Sequence, residues 1–183
     1  MSAAGQGADK EGLLHIYCGD GKGKTTAALG LALRAAGSGM RVHIVQFLKG
    51  APTSELVSLC RIPEISLERC DRNYGFTFSM SQKDKAELTA CHNRMLKHAA
   101  FLAQSGQIDL LILDEFNAAY GGGYLDREAA KELVLNRPEG LELVLTGREP
   151  DPVFTEAADY ISCIEAVRHP YQKGISARKG IEF

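Results

Sequence analysis

Residues 18–26, with the sequence CGDGKGKTT, have the residue types and spacing of a loop that binds phosphate. Closely spaced glycines let backbone N–H groups converge on an anion, and a lysine adds a mobile positive charge. The general pattern G-x-x-x-x-G-K-[S/T] is matched except at its first glycine, where Cys18 stands. We therefore predict that this loop binds nucleotide phosphates, with Lys24 as the charged contact and Thr25 as a ligand of Mg²⁺. A glycine-rich turn without a ligand is the alternative.

A second candidate motif, LLILDE at residues 110–115, is an apolar run that ends in two acidic residues. In P-loop proteins a carboxylate at the end of a neighbouring strand holds the magnesium ion opposite the threonine hydroxyl. Combined with the glycine-rich loop, the motif predicts Asp114 and Glu115 as Mg²⁺ ligands. In an ATPase the second acid would instead activate a water molecule. A strand that runs into a solvated acidic turn is the other alternative.

The elements that must position these residues alternate between strand and helix. Near-continuous apolar runs, which suit central strands covered on both faces, predict six strands. They are residues 13–18, 41–47, 64–69, 108–114, 141–146 and 160–165. A long helix is predicted over 82–104, with Ser81 and Asp84 as a capping box, and Asp151 before Pro152 predicts another helix start. This alternation predicts a single α/β domain with a mostly parallel sheet and helices on both faces.

Composition is consistent with a soluble globular domain. Of the 183 residues 45% are hydrophobic and 24% are charged, and the net charge of −2 gives no footprint for nucleic acid or an anionic membrane. The start has no apolar signal segment, so we expect a cytoplasmic protein whose residues 1–11 form a flexible tail. The five cysteines form no C-x-x-C pair and their number is odd. Reduced thiols are therefore expected rather than disulfides or a zinc site.

Taken together, these motifs resemble the ATP-dependent corrinoid adenosyltransferases of the P-loop type. The family's loop G-N-G-K-G-K-T-T stands here at residues 19–26, with Asp20 in place of asparagine. Further family motifs recur in order, and the resemblance covers residues 12–183. They are VQFLKG at 45–50, LDEFN at 113–117, NRP at 136–138, LTGR at 145–148, HP at 169–170 and KGIEF at 179–183.

The resemblance implies a RecA-like P-loop fold and transfer of the 5′-deoxyadenosyl group of ATP to Co(I) of a corrinoid, with release of triphosphate. Co(I) is a strong nucleophile, so alignment and stabilisation of the leaving triphosphate would be the main tasks. In this family the triphosphate lies reversed along the loop. Lys24 and Glu115 would be catalytic, and Thr25, Asp114 and Glu115 would hold Mg²⁺. The implied ATP contacts are Gly19, Asp20, Gly21, Lys22, Gly23, Lys24, Thr25, Thr26, Asn117 and Arg148.

The segment GFTF at residues 75–78 resembles the family's G-F-T-W segment. The resemblance implies that Phe76 and Phe78 lie beneath the corrinoid ring and exclude the lower axial ligand of cobalt, which makes Co(II) easier to reduce. The alternative is that both are ordinary core residues. The family also implies a homodimer and a reduced flavoprotein as electron donor. Residues 169–183 are expected to pack on the domain, 12–168, or on a partner subunit, with a disordered terminus as the alternative.

Two other functions remain open from the sequence alone. The first is a P-loop ATPase or kinase that transfers phosphate, with Glu115 as its base. The second is a non-catalytic sensor or carrier that binds a nucleotide or a corrinoid. The identity of the product separates these functions from adenosyl transfer.

Overall fold

Six strands build the protein in the computed structural model, which describes residues 11–75 and 77–183. The strands are β1 (Leu14–Cys18), β2 (Val42–Gln46), β3 (Ile65–Arg69), β4 (Leu110–Asp114), β5 (Glu142–Thr146) and β6 (Tyr160–Cys163). Every neighbouring pair is parallel, and the order across the sheet is β3-β2-β4-β5-β1-β6. The six predicted strands and the parallel α/β architecture are confirmed, with strand ends shifted by one or two residues.

The helices connect these strands. They are α1 (Lys24–Gly37), α2 (Glu55–Leu59), α3 (Gln82–Gln104), α4 (Phe116–Gly121), α5 (Arg127–Leu135) and α6 (Pro152–Thr155). The long helix α3 has the predicted bounds and the predicted capping box. The N–H of Asp84 donates to the Ser81 hydroxyl (3.1 Å), and the Asp84 carboxylate accepts the N–H of Ser81 (3.4 Å). Asp151 caps α6 by accepting the N–H of Val153 at 3.1 Å.

The sheet separates two hydrophobic cores. Side chains alternate along a strand, so β4 places Leu110 and Ile112 in one core and Leu111 and Leu113 in the other. The first core is closed by the alanine-rich face of α1, and the second by α3 together with α4 and α5. Burial on both faces explains why the central strands read as continuous apolar runs.

The last strand differs from the expectation of a strand covered on both faces. Strand β6 lies at the edge of the sheet, and all four of its residues are exposed, including Tyr160 at 53% and Ile161 at 50%. The apolar run at 160–165 also ends early as a strand, because residues 164 and 165 turn to contact the glycine-rich loop. The sequence alone does not distinguish this edge strand from the inner strands, because the run at 160–165 is apolar as theirs are.

The expectation that all cysteines are reduced is wrong for one pair. Cys70 follows β3, Cys91 lies on α3, and the two form a disulfide with their Cα atoms 6.3 Å apart. The other three, Cys18, Cys60 and Cys163, are free thiols. The pairing depends on the packing of α3 beside the end of β3, so the sequence spacing of 21 residues carries no sign of it.

Two remaining points are the predicted amino-terminal tail and the possibility of a membrane-spanning helix. Apart from Glu11, the tail predicted at residues 1–11 lies outside the described residues. Among residues 11–75 and 77–183, no helix combines the length and apolar character that crossing a bilayer requires.

Candidate nucleotide site

The glycine-rich loop connects β1 to α1 at the carboxyl edge of the sheet. Gly19 has a φ of +96°, and a Cβ atom there would lie 2.4 Å from the carbonyl oxygen of Ile164. Both its backbone conformation and this close approach therefore require glycine. The N–H of Gly19 donates to the carbonyl of Arg148 (3.1 Å), and that of Gly21 donates to Ile164 (2.7 Å). The ends of β5 and β6 thus fix the start of the loop.

The second half of the loop opens helix α1. Its first intrahelical bond runs from the N–H of Ala27 to the carbonyl of Gly23 at 2.7 Å, so the amides of residues 24–26 precede that bond. Such amides, at the positive end of the helix dipole, favour an anion. The Lys24 side chain is 9% exposed and folds back to donate to the carbonyl of Gly21 at 2.7 Å. Thr26 is exposed and lines the cleft in front of the loop.

Asp114 is the buried polar centre of the site. It ends β4, is 1% exposed, and accepts hydrogen bonds from side chains of three other segments. Thr25 and Thr146 donate to its Oδ1 at 2.9 and 2.7 Å, and Gln46 donates to its Oδ2 at 3.2 Å. The predicted proximity of Thr25 and Asp114 therefore exists in the structure.

Lys49 is the functional candidate that sequence reasoning missed. Its Nζ lies 2.6 Å from Oδ2 of Asp114 and 2.8 Å from Oγ1 of Thr25, between the two groups predicted to face a metal ion. A buried carboxylate is strongly destabilised without a cation, so this ammonium compensates the charge of Asp114. The sequence signal was present in the VQFLKG motif at residues 45–50, but the motif alone does not show where the lysine points.

Two residues beside Asp114 adopt the left-handed backbone conformation that side chains other than glycine rarely adopt. They are Leu48, with φ +56°, and Glu115, with φ +58°. Such residues cost about 1–3 kcal/mol each and concentrate at functional sites. The N–H of Glu115 donates to the Thr146 hydroxyl at 2.9 Å, which fixes the turn from β4 into α4. Burial raises the pKa of Glu115, while Lys49 opposes that rise.

Arg148 and Asn117 occupy different positions relative to the cleft. Arg148 is exposed and lines the cleft, whereas Asn117 is 3% exposed and is not among the residues that line it. The Asn117 amide donates to the carbonyl of Gly147 at 3.4 Å. Gly147 has a φ of +142°, and a Cβ there would approach the Cβ of Asn117 to 2.7 Å. Asn117 therefore supports the turn that presents Arg148.

The remaining loop residues contact the carboxyl-terminal part of the chain. Asp20, which replaces the family's asparagine, accepts the N–H of Ala166 at 3.1 Å. Lys22 is 48% exposed, and its Nζ lies 3.8 Å from the carboxylate of Glu182. The Ser54 hydroxyl donates to the carbonyl of Phe183 at 3.1 Å. The last residues of the chain thus form part of the cleft beside the loop.

The cleft itself has a volume of about 1050 Å³. Small-molecule pockets of proteins fall mostly between about 300 and 1,000 Å³, so this cleft is at the upper end of that range. Its walls combine the glycine-rich loop with the segment after β2, Asn73 and Gly75, Glu115, Arg148 and the chain end.

Of the two phenylalanines predicted to contact a corrinoid, only Phe78 can be placed. It is 85% exposed in a short 3₁₀ turn, Thr77–Ser79, so the alternative that it is a core residue is wrong. Phe76 lies outside the described residues.

A glycine-rich loop on an inner parallel strand, with a buried carboxylate beside its threonine, defines a P-loop nucleotide-binding protein. A solved structure of a KaiC-like protein from Pyrococcus horikoshii has the same fold, with a TM-score of 0.52, 14% identity, and coverage of 85% of this chain and 72% of that chain. Residues 10–183 match the family described as ATP:corrinoid adenosyltransferase BtuR/CobO/CobP, and the chain belongs to this family.

Curated relatives agree with the family match. A corrinoid adenosyltransferase of Pseudomonas aeruginosa is 37% identical over 180 residues, which are 97% of this chain and 87% of the relative. One from Escherichia coli K12 is 31% identical over 178 residues, covering 97% and 89% of the two chains. Corrinoid adenosyltransferase CobA of Salmonella typhimurium is 30% identical with the same coverage.

The position of Lys49 predicts how the protein responds to magnesium alone. Lys49→Met removes the ammonium between Thr25 and Asp114 and leaves the Asp114 carboxylate without a positively charged partner. Mg²⁺ should then bind there and compensate the negative charge. We expect Mg²⁺ without nucleotide to raise the Tm of Lys49→Met by about 3 °C more than that of the wild type, measured by calorimetry. Lys22→Met, an exposed loop lysine, is the matched control and should respond as the wild type does. Equal shifts in all three proteins would contradict this position for Lys49.

His92 predicts a pH dependence of stability. It is fully buried, its Nε2 accepts the N–H of Leu48 at 3.2 Å, and burial lowers its pKa to about 4. Between pH 6.5 and about 4 the unfolded chain takes up a proton that the native state does not. The free energy of unfolding therefore falls as pH falls, by about 1.4 kcal/mol per pH unit for this group. Denaturant unfolding of His92→Gln, which keeps an acceptor but cannot be protonated, should show a slope smaller by that amount.

Proposed function

We propose that this chain transfers the 5′-deoxyadenosyl group of ATP to the Co(I) of a corrinoid and releases triphosphate. The observation that carries the proposal is membership of the ATP:corrinoid adenosyltransferase family across residues 10–183. Full-length similarity to proteins named corrinoid adenosyltransferase supports it further. The site provides a phosphate loop that lines a cleft of about 1050 Å³.

In this proposal the loop binds the triphosphate as the leaving group. The amides that open α1, together with Lys24, Lys22 and Arg148, surround the place where negative charge develops as the bond from C5′ to the triphosphate breaks. Fixed donors of this kind lower the barrier because they need no reorganisation. Co(I) is itself the nucleophile, so the protein needs no general base, and alignment of C5′ with cobalt is its second task.

The donor set fits Mg²⁺, which prefers oxygen ligands. Thr25 offers a hydroxyl and Asp114 a carboxylate, and the Lys49 ammonium between them supports the proposal that a cation binds at this point. Glu115, close enough for its pKa to respond to Lys49 and Asp114, is the third candidate ligand or a partner for the ribose. When bound, Mg²⁺ would neutralise part of the charge of the triphosphate. Lys49, with a flexible and partly exposed side chain, would then turn toward the phosphates.

The corrinoid would occupy the part of the cleft lined by Asn73 and Gly75, with Phe78 beneath the ring. The high exposure of Phe78 supports this role, because an exposed aromatic side chain is available to cover a large apolar ligand. We further propose a cytoplasmic homodimer that receives electrons from a reduced flavoprotein.

An anaerobic assay tests the function. Chemically reduced cob(I)alamin, ATP and Mg²⁺ are mixed with the protein, and the corrinoid spectrum and the phosphate products are followed. We expect light-sensitive adenosylcobalamin and triphosphate in equal amounts. Hydrolysis of ATP to ADP and phosphate without transfer would instead indicate an ATPase, and binding of both substrates without turnover would indicate a sensor or carrier.

Lys24→Ala tests the role of the loop in that assay. Loss of a positive charge at the leaving group should lower kcat by about 10²–10³-fold. Lys83→Ala, an exposed lysine on α3, is the matched control and should retain full activity. Undiminished transfer by Lys24→Ala would show that the leaving group does not depend on this loop.

Phe78→Ala tests the proposed corrinoid contact. If Phe78 helps to exclude the lower ligand of cobalt, activity that starts from Co(II) and a reductant should fall more than activity that starts from pre-reduced Co(I). Phe101→Ala removes another exposed phenylalanine, on α3, and should change neither rate. Equal losses from both starting states would contradict the role of Phe78.

A further inference from the structure

A second group of ligand-type side chains lies on the sheet face that α3 covers, near the edge formed by β3. His43 comes from β2, Glu68 from β3 and His98 from α3. One ligand atom of each residue lies within 4.8 Å of the other two. The three residues are far apart in sequence, and only the pairing of β2 with β3 and the packing of α3 bring them together.

Ser66 lies where it can orient the ring of His43. The Ser66 hydroxyl oxygen is 2.8 Å from Nδ1 of His43 and 3.1 Å from the carbonyl oxygen of Val42. When this hydroxyl donates to the carbonyl, its oxygen accepts the Nδ1–H of His43, and Nε2 is then the nitrogen that can bind a metal ion. A second interaction that orients the ring in this way is typical of metal-binding histidines.

The second ring nitrogen of His43 has no partner. His43 is 3% exposed, and its Nε2 has no hydrogen-bond partner within the described part of the chain. It faces Oε2 of Glu68 at 3.7 Å. A buried polar atom without a partner is unfavourable, and a cation bound between Nε2 and the Glu68 carboxylate would satisfy it. The geometry therefore fits an incomplete coordination shell.

Glu68 and His98 complete the group on its solvent side. Nδ1 of His98 lies 2.8 Å from the same Oε2 of Glu68, so the two share a proton. A metal ion would take the place of that proton, which would move to Nε2 of the His98 ring. The side chains of Glu68 and His98 are 31% and 51% exposed, which provides an entry path and room for a water ligand.

We propose that His43, Glu68 and His98 form a binding site for a divalent first-row transition ion, with Zn²⁺ the ion that fits best. Two imidazole nitrogens and one carboxylate oxygen are a common ligand set for Zn²⁺, whereas Mg²⁺ prefers oxygen ligands only. The site is thus distinct from the magnesium position at the phosphate loop. The bound ion would join β2, β3 and α3. Of these elements, β2 leads into the turn that carries Lys49, and α3 carries His92.

Calorimetric titration of Zn²⁺ into metal-free protein without a histidine tag, in excess Mg²⁺, tests the proposal. We expect one equivalent to bind, and each of His98→Ala and Glu68→Gln to weaken binding at least about tenfold. His15→Ala is the matched control, because His15 also contacts a carboxylate, that of Glu142, but belongs to no group of three ligand-type side chains within residues 11–75 and 77–183. Its affinity should equal that of the wild type. Loss of binding in His15→Ala, or wild-type affinity in both cluster variants, would overturn the proposal.

Two further readouts exclude misfolding and other ligands. Zn²⁺ should raise the Tm of the wild type and His15→Ala but not that of His98→Ala, whose exposed position predicts a normal Tm without metal. Co²⁺ should give visible bands without thiolate charge transfer. A strong charge-transfer band would assign the ion to the exposed thiols of Cys60 or Cys163 and would overturn the proposed ligand set.

Discussion

The carboxylate of Asp114 is the constraint on which the site depends. A charge that is 1% exposed must be compensated, and Asp114 obtains its partners from α1, from the last residue of β2 and the turn after it, and from β5. Each partner is thereby drawn to one point at the carboxyl edge of the sheet. Each of the two Asp114 oxygens accepts from two donors, and a buried acceptor left without any would cost about 1–3 kcal/mol, and more for a charged group. The phosphate loop is positioned because this requirement is met.

The turns at Leu48 and Glu115, on either side of Asp114, are themselves held by hydrogen bonds. His92, on α3, accepts the N–H of Leu48 and so supports the strained turn that carries Lys49. Thr146 donates to Asp114 and accepts the N–H of Glu115, which joins the ends of β4 and β5. Strain at Leu48 and Glu115 is therefore balanced by the hydrogen bonds that their backbone N–H groups donate to buried side chains. Such a rigid frame suits a reaction whose main demand is alignment of two substrates.

Much of the fold was predictable because its signals are local. Apolar runs marked the six strands, and the capping box marked the start of α3 at Ser81. Contacts made by the sheet order were not predictable. The Cys70–Cys91 disulfide and the approach of His43 to His98 join segments that are distant in sequence. The exposure of β6 follows from its position at the edge of the sheet, which the sheet order sets. Lys49 belongs to both classes, since its motif was visible but its position depends on the strained turn at Leu48.

We propose that the point between Thr25 and Asp114 belongs to a cation, which Lys49 supplies when the nucleotide and its metal are not bound. A crystal structure with ATP and Mg²⁺, without corrinoid so that ATP persists, tests this most directly. We expect the Lys49 ammonium to leave its contacts with Thr25 and Asp114 and to turn toward the phosphates, so that the metal occupies that point. Lys49 retained between the two side chains, with Mg²⁺ bound elsewhere, would contradict it.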